Sequence, residues 1–258
     1  MDSTILCIHS TGTTSSLWAP VLEAARLKER GLLAGNLGYP PAPLVERGTP
    51  VSALDDARHV VSQLPDGTSR VHLLAHSYGG LVALHVMDLL GPRVASAFIY
   101  EPVVFRFMVN AKGADPAAVE QGSAFTADGS WFLEDTQRGG SDEWLEQFID
   151  YWNRPGSWQR MPEPLRTATR AVGWKMFQEV RACFYDERQL RGLTHDAPTT
   201  IAVGSSTTVA SQAMSRTLAA AASNATLVEL PQLSHMAPLT QPGALAPALV
   251  EHLRRVTA

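Results

Sequence analysis

Short apolar runs alternate with segments of helical periodicity along most of the chain. Six runs of strand character are bounded by glycine, proline or polar residues: 4–9, 31–37, 70–76, 94–100, 199–203 and 226–230. Five segments carry apolar residues at helical spacing: 17–30, 50–64, 78–90, 209–222 and 243–256. This alternation predicts an α/β fold with a mainly parallel sheet of about six strands and helices on both faces.

The alternation stops between Phe105 and Leu193, where most of the aromatic residues occur. The stretch is too long for a loop and too short for a typical independent domain. We therefore predict one core, formed by residues 1–104 and 194–258, with a mostly helical cap inserted at 105–193. Most of the cap aromatics are expected to serve packing, and their abundance also predicts a mainly apolar pocket.

Composition narrows the classes of partner. The chain has 258 residues, 45% of them hydrophobic, which is enough to bury a large single core. Its net charge is −4 and it has no dense Lys/Arg block, so we expect neither nucleic acid nor an anionic membrane as partner. Strand-like sequence begins at Thr4, which leaves no room for a cleavable signal peptide, and no apolar run approaches the ~20 residues of a membrane span. The two cysteines suggest neither a disulfide scaffold nor a zinc site. These features predict a cytoplasmic protein, and they leave its oligomeric state open.

A serine stands where an apolar strand changes into a helix. Residues 71–83 read Val-His-Leu-Leu-Ala-His-Ser-Tyr-Gly-Gly-Leu-Val-Ala, with Ser77 between the small residues Ala75 and Gly79. A sharp strand–turn–helix of this kind holds a nucleophile in a strained conformation and needs small neighbours. The unpaired N–H groups at the start of the helix favour an oxygen that becomes negative during attack. The pattern predicts acyl transfer with Ser77 as the nucleophile.

Four landmarks follow one another along the chain. They are the loop His9-Ser10-Thr11-Gly12, the turn at 75–79, Glu101 after a strand, and Ser234-His235-Met236 after the last strand. In this order they resemble the α/β-hydrolase fold superfamily along essentially the whole chain. Because the chain starts directly at the strand before His9, it resembles compact members that lack the first two strands of the family, such as plant-type methyl esterases and hydroxynitrile lyases. The resemblance implies a serine hydrolase with a nucleophile, a histidine and an acid.

His235 is the best candidate for the base. A serine hydroxyl is almost fully protonated at neutral pH, so it needs a base within hydrogen-bond reach. The resemblance implies that the histidine after the last strand reaches the nucleophile. His76 precedes the serine on its strand, so we expect its side chain to point to the opposite side.

The acid departs from the commonest pattern of the family, which places Asp a few residues after the strand that here ends at Gly204. Residues 205–208 read Ser-Ser-Thr-Thr and contain no carboxylate. Some relatives, including certain haloalkane dehalogenases, take the acid from the end of the preceding strand, and Glu101 fits that position. Its extra methylene gives reach from a neighbouring strand. Asp196 and the hydroxyl of Thr207 remain alternatives.

The resemblance also implies two backbone donors for the oxyanion. The family uses the N–H of the residue after the nucleophile and one from the loop after the first strand, which are Tyr78 and Thr11 by position. Ser10 stands where the family usually has glycine, so the loop is slightly more crowded, and the Thr11 hydroxyl could add a donor.

A carboxylic ester hydrolase for a small to medium apolar substrate follows, with no metal and no organic cofactor. Serine in place of aspartate at position 77 disfavours the alkyl-enzyme route of dehalogenases. Trp131, Trp152 and Met236 are the candidates for substrate contact.

One alternative is a carbon–carbon hydrolase or lyase on the same triad, although similar hydroxynitrile lyases carry lysine where Met236 stands. The other alternative is a non-catalytic binding protein, which the missing acid after Gly204 would favour.

Overall fold

A computed structural model describes residues 3–127 and 130–257 of the chain. In this part of the chain, six parallel strands form one sheet in the order β2-β1-β3-β4-β5-β6. The strands are β1 (Thr4–Ile8), β2 (Gly31–Ala34), β3 (Val71–His76), β4 (Val94–Tyr100), β5 (Thr199–Gly204) and β6 (Ala225–Leu230). The predicted α/β fold with a parallel sheet is therefore confirmed.

Helices fill the connections between the strands. Those before β4 are α1 (Ala19–Ala24), α2 (Ala53–Ser62) and α3 (Tyr78–Leu90). Between β4 and β5 lie α4 (Phe105–Asn110), α5 (Pro116–Thr126), α6 (Trp131–Glu134), α7 (Asp142–Trp152), α8 (Ser157–Arg160), α9 (Glu163–Ala171) and α10 (Gly173–Tyr185). The last three are α11 (Val209–Ala220), α12 (Ala237–Thr240) and α13 (Pro242–Thr257), and short 3₁₀ turns span Ser15–Trp18, Lys28–Arg30, Gly91–Arg93 and Glu187–Arg191. The insertion is helical as predicted, and its exact limits at 105 and 193 stay a prediction.

Two predicted helices differ in the structure. The segment 17–30 breaks into α1 and flanking 3₁₀ turns, because Arg26 takes a left-handed backbone conformation (φ 59°) that stops the helix. The helix predicted from Pro50 begins at Ala53, where Ser52 and Asp55 form a reciprocal capping box. Capping chemistry therefore outweighed the helix-starting tendency of proline.

Alternate strand residues pack against helices on opposite faces of the sheet. Leu6, Ile8 and Ile99 belong to one buried cluster with α2, α3 and the cap helices, whereas Ile5 and Phe98 belong to a second with α1 and α13. Burial on both faces matches the two-residue period of a strand. Among the described residues, no helix has the length and apolar content that crossing a bilayer requires.

The parallel arrangement brings the carboxyl ends of the strands to one edge. In α/β sheets, ligands bind beyond this edge. β3 ends at His76, just before Ser77, and β4 ends at Tyr100, just before Glu101. The fold therefore sets the candidate nucleophile and the candidate acid side by side.

Candidate active site

Ser77 occupies a strained turn between β3 and α3. Its backbone angles are φ 57° and ψ −123°, a conformation that costs a non-glycine residue about 1–3 kcal/mol. Three backbone hydrogen bonds hold the turn: Ser77 N–H donates to Tyr100 O (3.1 Å), and Ser77 O accepts from Gly80 N–H (2.8 Å) and Val103 N–H (3.2 Å). The surrounding chain thus imposes the conformation that exposes the hydroxyl.

The two glycines after Ser77 allow the close packing that this turn needs. A Cβ atom at Gly79 would lie 2.7 Å from His9 O, and one at Gly80 would lie 2.8 Å from Pro102 Cβ. Both separations are shorter than van der Waals contact, so a side chain at either position would push the start of α3 away from its neighbours.

The histidine predicted as base lies between the serine and the glutamate. His235, on the loop between β6 and α12, places Nε2 3.0 Å from Ser77 Oγ and Nδ1 2.7 Å from Glu101 Oε2. A carboxylate can only accept, so Nδ1–H donates to Glu101 and Nε2 is left to accept from the serine hydroxyl. This is the geometry of a nucleophile, a base and an orienting acid.

Glu101 is fully buried, yet its carboxylate has a full set of donors. Oε1 accepts from Gly204 N–H (2.9 Å), and Oε2 accepts from the hydroxyls of Thr207 (2.8 Å) and Ser211 (2.8 Å) as well as from His235. Burial by itself raises the pKa of this carboxyl, but the hydrogen bond and charge of His235 and the hydrogen bonds from Gly204 and Ser211 outweigh it. The pKa of Glu101 therefore lies below its ordinary value.

The other candidates for the acid lie elsewhere or serve another purpose. Asp196 is exposed and precedes β5, so it stands at the opposite edge of the sheet from Ser77. The hydroxyl of Thr207 donates to Glu101 and not to His235. The segment where an aspartate was expected thus supplies donors to a glutamate on the neighbouring strand.

His76 contacts the loop of His235, which the sequence did not predict. Its Nε2 donates to His235 O (2.8 Å), and its ring centroid lies 4.7 Å from that of His235. Burial and the neighbouring His235 hold the pKa of His76 well below its usual range. The Tyr100 hydroxyl also donates to Ser234 O (2.7 Å), so the last residues of β3 and β4 both hold the loop that carries His235.

Thr11 and Tyr78 both line the cavity beside Ser77. Neither backbone N–H has a hydrogen-bond acceptor among the described residues, whereas Gly12 N–H donates to the Tyr39 hydroxyl (2.9 Å). The two predicted oxyanion donors are therefore available, and that of Gly12 is occupied.

The peptide between Ser10 and Thr11 is held by its carbonyl oxygen. Ser10 O accepts from His9 Nδ1 (2.9 Å) and from the Thr13 hydroxyl (2.8 Å). Asn36 N–H donates to the other ring nitrogen of His9 (3.0 Å), and burial lowers the pKa of His9 to about 4, so the ring is neutral near neutral pH. Because a peptide is planar and trans, fixing the carbonyl also fixes the direction of Thr11 N–H.

Two cavities meet at Ser77. The inner cavity is narrow, with a volume of about 30 Å³, and the residues lining it beyond Thr11, Ser77 and Tyr78 are Val103, Phe105, Phe125, Phe132, Phe148, Tyr151, Trp152, Val180, Cys183 and Phe184. The outer cleft is larger, with a volume of about 560 Å³, and more polar. The charged residues that line it within the described chain are Arg154 and Arg160.

The three residues predicted to contact substrate fall in different places. Trp152 lines both cavities, and Met236 lines the outer cleft. Trp131 lies elsewhere, with its indole under the guanidinium of Arg138 (3.6 Å), and it lines neither cavity. Phe132 points into the inner cavity instead, since neighbouring helix positions differ by about 100° in direction. The aromatic content of the cap predicted an apolar cavity but not which rings form it.

Comparison with known proteins identifies the family. A model of the Alpha/beta hydrolase family matches residues 5–248. No curated protein matches the chain.

Similar solved structures span nearly the whole chain. A thermophilic esterase from Thermogutta terrifontis has 19% identity and a TM-score of 0.68, covering 99% of this chain and 90% of its own. An alpha/beta hydrolase from Sphaerobacter thermophilus has 17% identity and a TM-score of 0.69, covering 98% and 92%. The meta-cleavage product hydrolase CumD has 16% identity and a TM-score of 0.66, covering 99% and 92%. These likenesses show a shared fold, and with the match over residues 5–248 they lead to one conclusion: the chain belongs to the alpha/beta hydrolase family.

Proposed function

We propose that the protein is a serine hydrolase that cleaves carboxylic esters through an acyl-enzyme. The observation that carries the proposal is the hydrogen-bonded line from Ser77 through His235 to Glu101, with separations of 3.0 and 2.7 Å. His235 Nε2 takes the proton of Ser77 as the serine oxygen attacks the ester carbonyl, and the Glu101 carboxylate stabilises the imidazolium that forms. His235 then gives the proton to the leaving alcohol.

Water completes the reaction. His235 Nε2 removes a proton from a water molecule that attacks the acyl-enzyme, and returning this proton to Ser77 Oγ releases the carboxylic acid. In both halves of the reaction, the carbonyl oxygen becomes negative. The N–H groups of Thr11 and Tyr78 are the donors that we assign to this oxyanion, and removing one such donor costs about 3–4 kcal/mol in systems where it was measured.

The two cavities suggest which half of the ester goes where. The alcohol must leave while the acyl group is still bonded to Ser77, so the alcohol half belongs in the open outer cleft. The acyl half then occupies the inner cavity, whose narrow space and aromatic and aliphatic lining suit a small apolar group.

The alternatives are weaker than ester hydrolysis. A non-catalytic binding role was suggested by the missing acid after Gly204, and Glu101 removes that reason because it hydrogen-bonds to His235. One similar structure is a meta-cleavage product hydrolase, and the same triad could serve carbon–carbon bond cleavage. No described residue favours that reaction over ester hydrolysis, and a substrate panel containing both bond types separates the two.

Labelling with a fluorophosphonate tests the proposal together with hydrolysis of 4-nitrophenyl butyrate. We expect the wild type to label and to hydrolyse the ester, and Ser77→Ala to lose labelling and roughly 10⁴-fold or more of the rate, because the triad acts as a unit. Ser62→Ala, at an exposed serine of α2, is the matched control and should behave as wild type. Equal rates for wild type and Ser77→Ala would refute the assignment of the nucleophile.

A further inference from the structure

A lysine of the cap is buried between two carboxylates and has no part in the chemistry described so far. Lys175 in α10 is 1% exposed, and its Nζ lies 2.7 Å from Asp56 Oδ2 and 2.6 Å from Glu179 Oε1. Burial lowers the pKa of Lys175, but the charges of Glu179 and Asp56 outweigh it, so the amine stays protonated. Removing any one of the three groups would leave a buried charge without its partner, so the cluster is held together.

On one side, the cluster is hydrogen-bonded to Tyr78, the residue of the first oxyanion donor. The hydroxyl of Tyr78 donates to Asp56 Oδ2 (2.5 Å), the same oxygen that accepts from Lys175. Tyr78 follows Ser77 directly, and its backbone N–H is the donor at the start of α3. The side chain of Tyr78 is therefore joined through Asp56 to the buried cation, while its backbone N–H has no acceptor among the described residues.

On the other side, the cluster is hydrogen-bonded through Tyr39 to Gly12, the residue after the second donor, Thr11. Glu179 Oε2 accepts from the Tyr39 hydroxyl (2.8 Å), and the oxygen of that hydroxyl accepts from Gly12 N–H (2.9 Å). Gly12 follows Thr11, so this bond fixes the peptide that leaves Thr11. A Cβ atom at Gly12 would also lie 2.7 Å from Cε of Met176, the residue after Lys175, so α10 packs directly on the loop.

The same ammonium lies near the rings of both tyrosines. Lys175 Nζ is 5.6 Å from the ring centroid of Tyr39 and 5.3 Å from that of Tyr78. Both separations are within the range of a cation–π contact. Tyr78, and Gly12 next to Thr11, are thus each connected to one charge on the cap through a short series of hydrogen bonds.

We propose that Lys175, Glu179 and Tyr39 are positioning residues that set the separation of the two oxyanion donors, the N–H groups of Thr11 and Tyr78. The inference rests on the proposed function, because it concerns the oxyanion of that reaction. It also goes beyond it, since it makes the seating of α10 on the core a condition for a competent oxyanion site. A cap that lifts would draw Lys175 and Glu179 away from both donors together.

A shift of these donors affects the transition state more than the bound substrate. Oxyanion donors act when they lie about 2.7–3.1 Å from the position of the developing charge, and the neutral ester carbonyl depends on them much less. Loosening the network should therefore lower kcat and leave KM nearly unchanged.

Tyr39→Phe removes the one hydroxyl that joins Gly12 to Glu179, and Tyr185→Phe is the matched control. The Tyr185 hydroxyl donates to Glu134 at the surface (2.5 Å), away from both cavities. For Tyr39→Phe we expect kcat for 4-nitrophenyl butyrate to fall about tenfold or more, since small displacements of catalytic groups can cost up to about 100-fold. KM should stay within about twofold of wild type, and fluorophosphonate labelling should slow in parallel with kcat. Tyr185→Phe should match wild type in all three.

Two substitutions at Glu179 supply a second test that does not depend on Tyr39→Phe folding. Glu179→Gln keeps an acceptor for the Tyr39 hydroxyl, whereas Glu179→Leu removes it. We expect kcat to be higher in Glu179→Gln than in Glu179→Leu, with circular dichroism and thermal melting used to compare only folded protein. A purely structural role would lower the melting temperature and leave kcat per folded molecule equal in both variants.

The outcomes separate this inference from the proposed function. An active wild type with an unchanged kcat in Tyr39→Phe, or with equal kcat in the two Glu179 variants, overturns the positioning role alone. A wild type that neither labels with the fluorophosphonate nor hydrolyses any ester overturns the proposed function and the inference with it.

Discussion

The indole of Trp152 stacks on the imidazole of His235, with ring centroids 4.0 Å apart and planes 25° from parallel. Trp152 ends helix α7 of the cap and lines both cavities, so the cap covers the candidate base with an aromatic face. During the proposed reaction His235 becomes a cation, and the face of an indole attracts cations. The contact therefore places an attractive aromatic face against the imidazolium that the proposed reaction forms.

Replacing Trp152 should lower the rate in proportion to the lost aromatic face. A cation–π contact of about 0.5–2 kcal/mol corresponds to about a 2- to 30-fold fall in kcat for Trp152→Ala, and Trp152→Phe should retain most of the rate. Steady-state kinetics with 4-nitrophenyl butyrate measures both. Equal kcat values in Trp152→Ala and wild type would show that the stacking has no catalytic effect.

Glu101→Gln tests the acid with little change in shape. The amide cannot stabilise the imidazolium, so we expect kcat to fall by about 10³- to 10⁴-fold while KM changes little. Glu229→Gln is the matched control, because Glu229 is an exposed residue of β6 that pairs with Arg216. Circular dichroism establishes that both variants fold. Near-normal activity in Glu101→Gln would remove Glu101 from the triad.

The pH dependence of stability should also report on Glu101. Its pKa in the folded protein lies below the ordinary value of 4.5, mainly because the donors around it outweigh the effect of burial. An acid of this kind stabilises the folded state above its unfolded pKa, and that contribution is lost as the pH falls through the folded pKa. Urea unfolding should show the stability advantage of wild type over Glu101→Gln shrinking as the pH is lowered from 7 toward 3. An advantage that stays constant over this range would contradict the lowered pKa.

The arginines of the outer cleft should favour esters with an anionic alcohol half. Arg154 and Arg160 line the cleft into which we place the alcohol, and no carboxylate is among the described residues lining it. The test is a comparison of kcat/KM for 3-carboxyphenyl butyrate and its neutral carboxamide analogue in wild type and in Arg154→Gln. The ratio of anionic to neutral ester should fall about two- to fivefold in Arg154→Gln, as expected for a solvent-exposed charge pair.

The intrinsic reactivity of the two esters cancels in this comparison, because the same pair is measured in each variant. Added salt should reduce the ratio in wild type, since exposed charges are screened. Arg216→Gln, at a surface arginine outside the cleft, is the control and should keep the wild-type ratio. A ratio that is the same in Arg154→Gln and wild type would show that Arg154 does not select charge.

Local sequence determined the sheet and the turn at Ser77. Strand and helix periodicity at 71–90 predicted β3 and α3 to within a residue, because both elements bury apolar residues at a regular spacing. The sequence could also predict His235 and Glu101 as site residues, because each follows a strand whose carboxyl end lies at the same edge of the sheet as Ser77.

Only the tertiary structure decided the remaining contacts. Tyr39 and Glu179 are 140 residues apart in the sequence and are joined only when α10 packs on the core. No local pattern distinguishes the buried Lys175 from an exposed lysine, or Phe132 in the cavity from Trp131 beside it. Such choices depend on which surfaces meet after the chain has folded, and a single sequence records the tendency of each residue to be buried but not the partner that buries it.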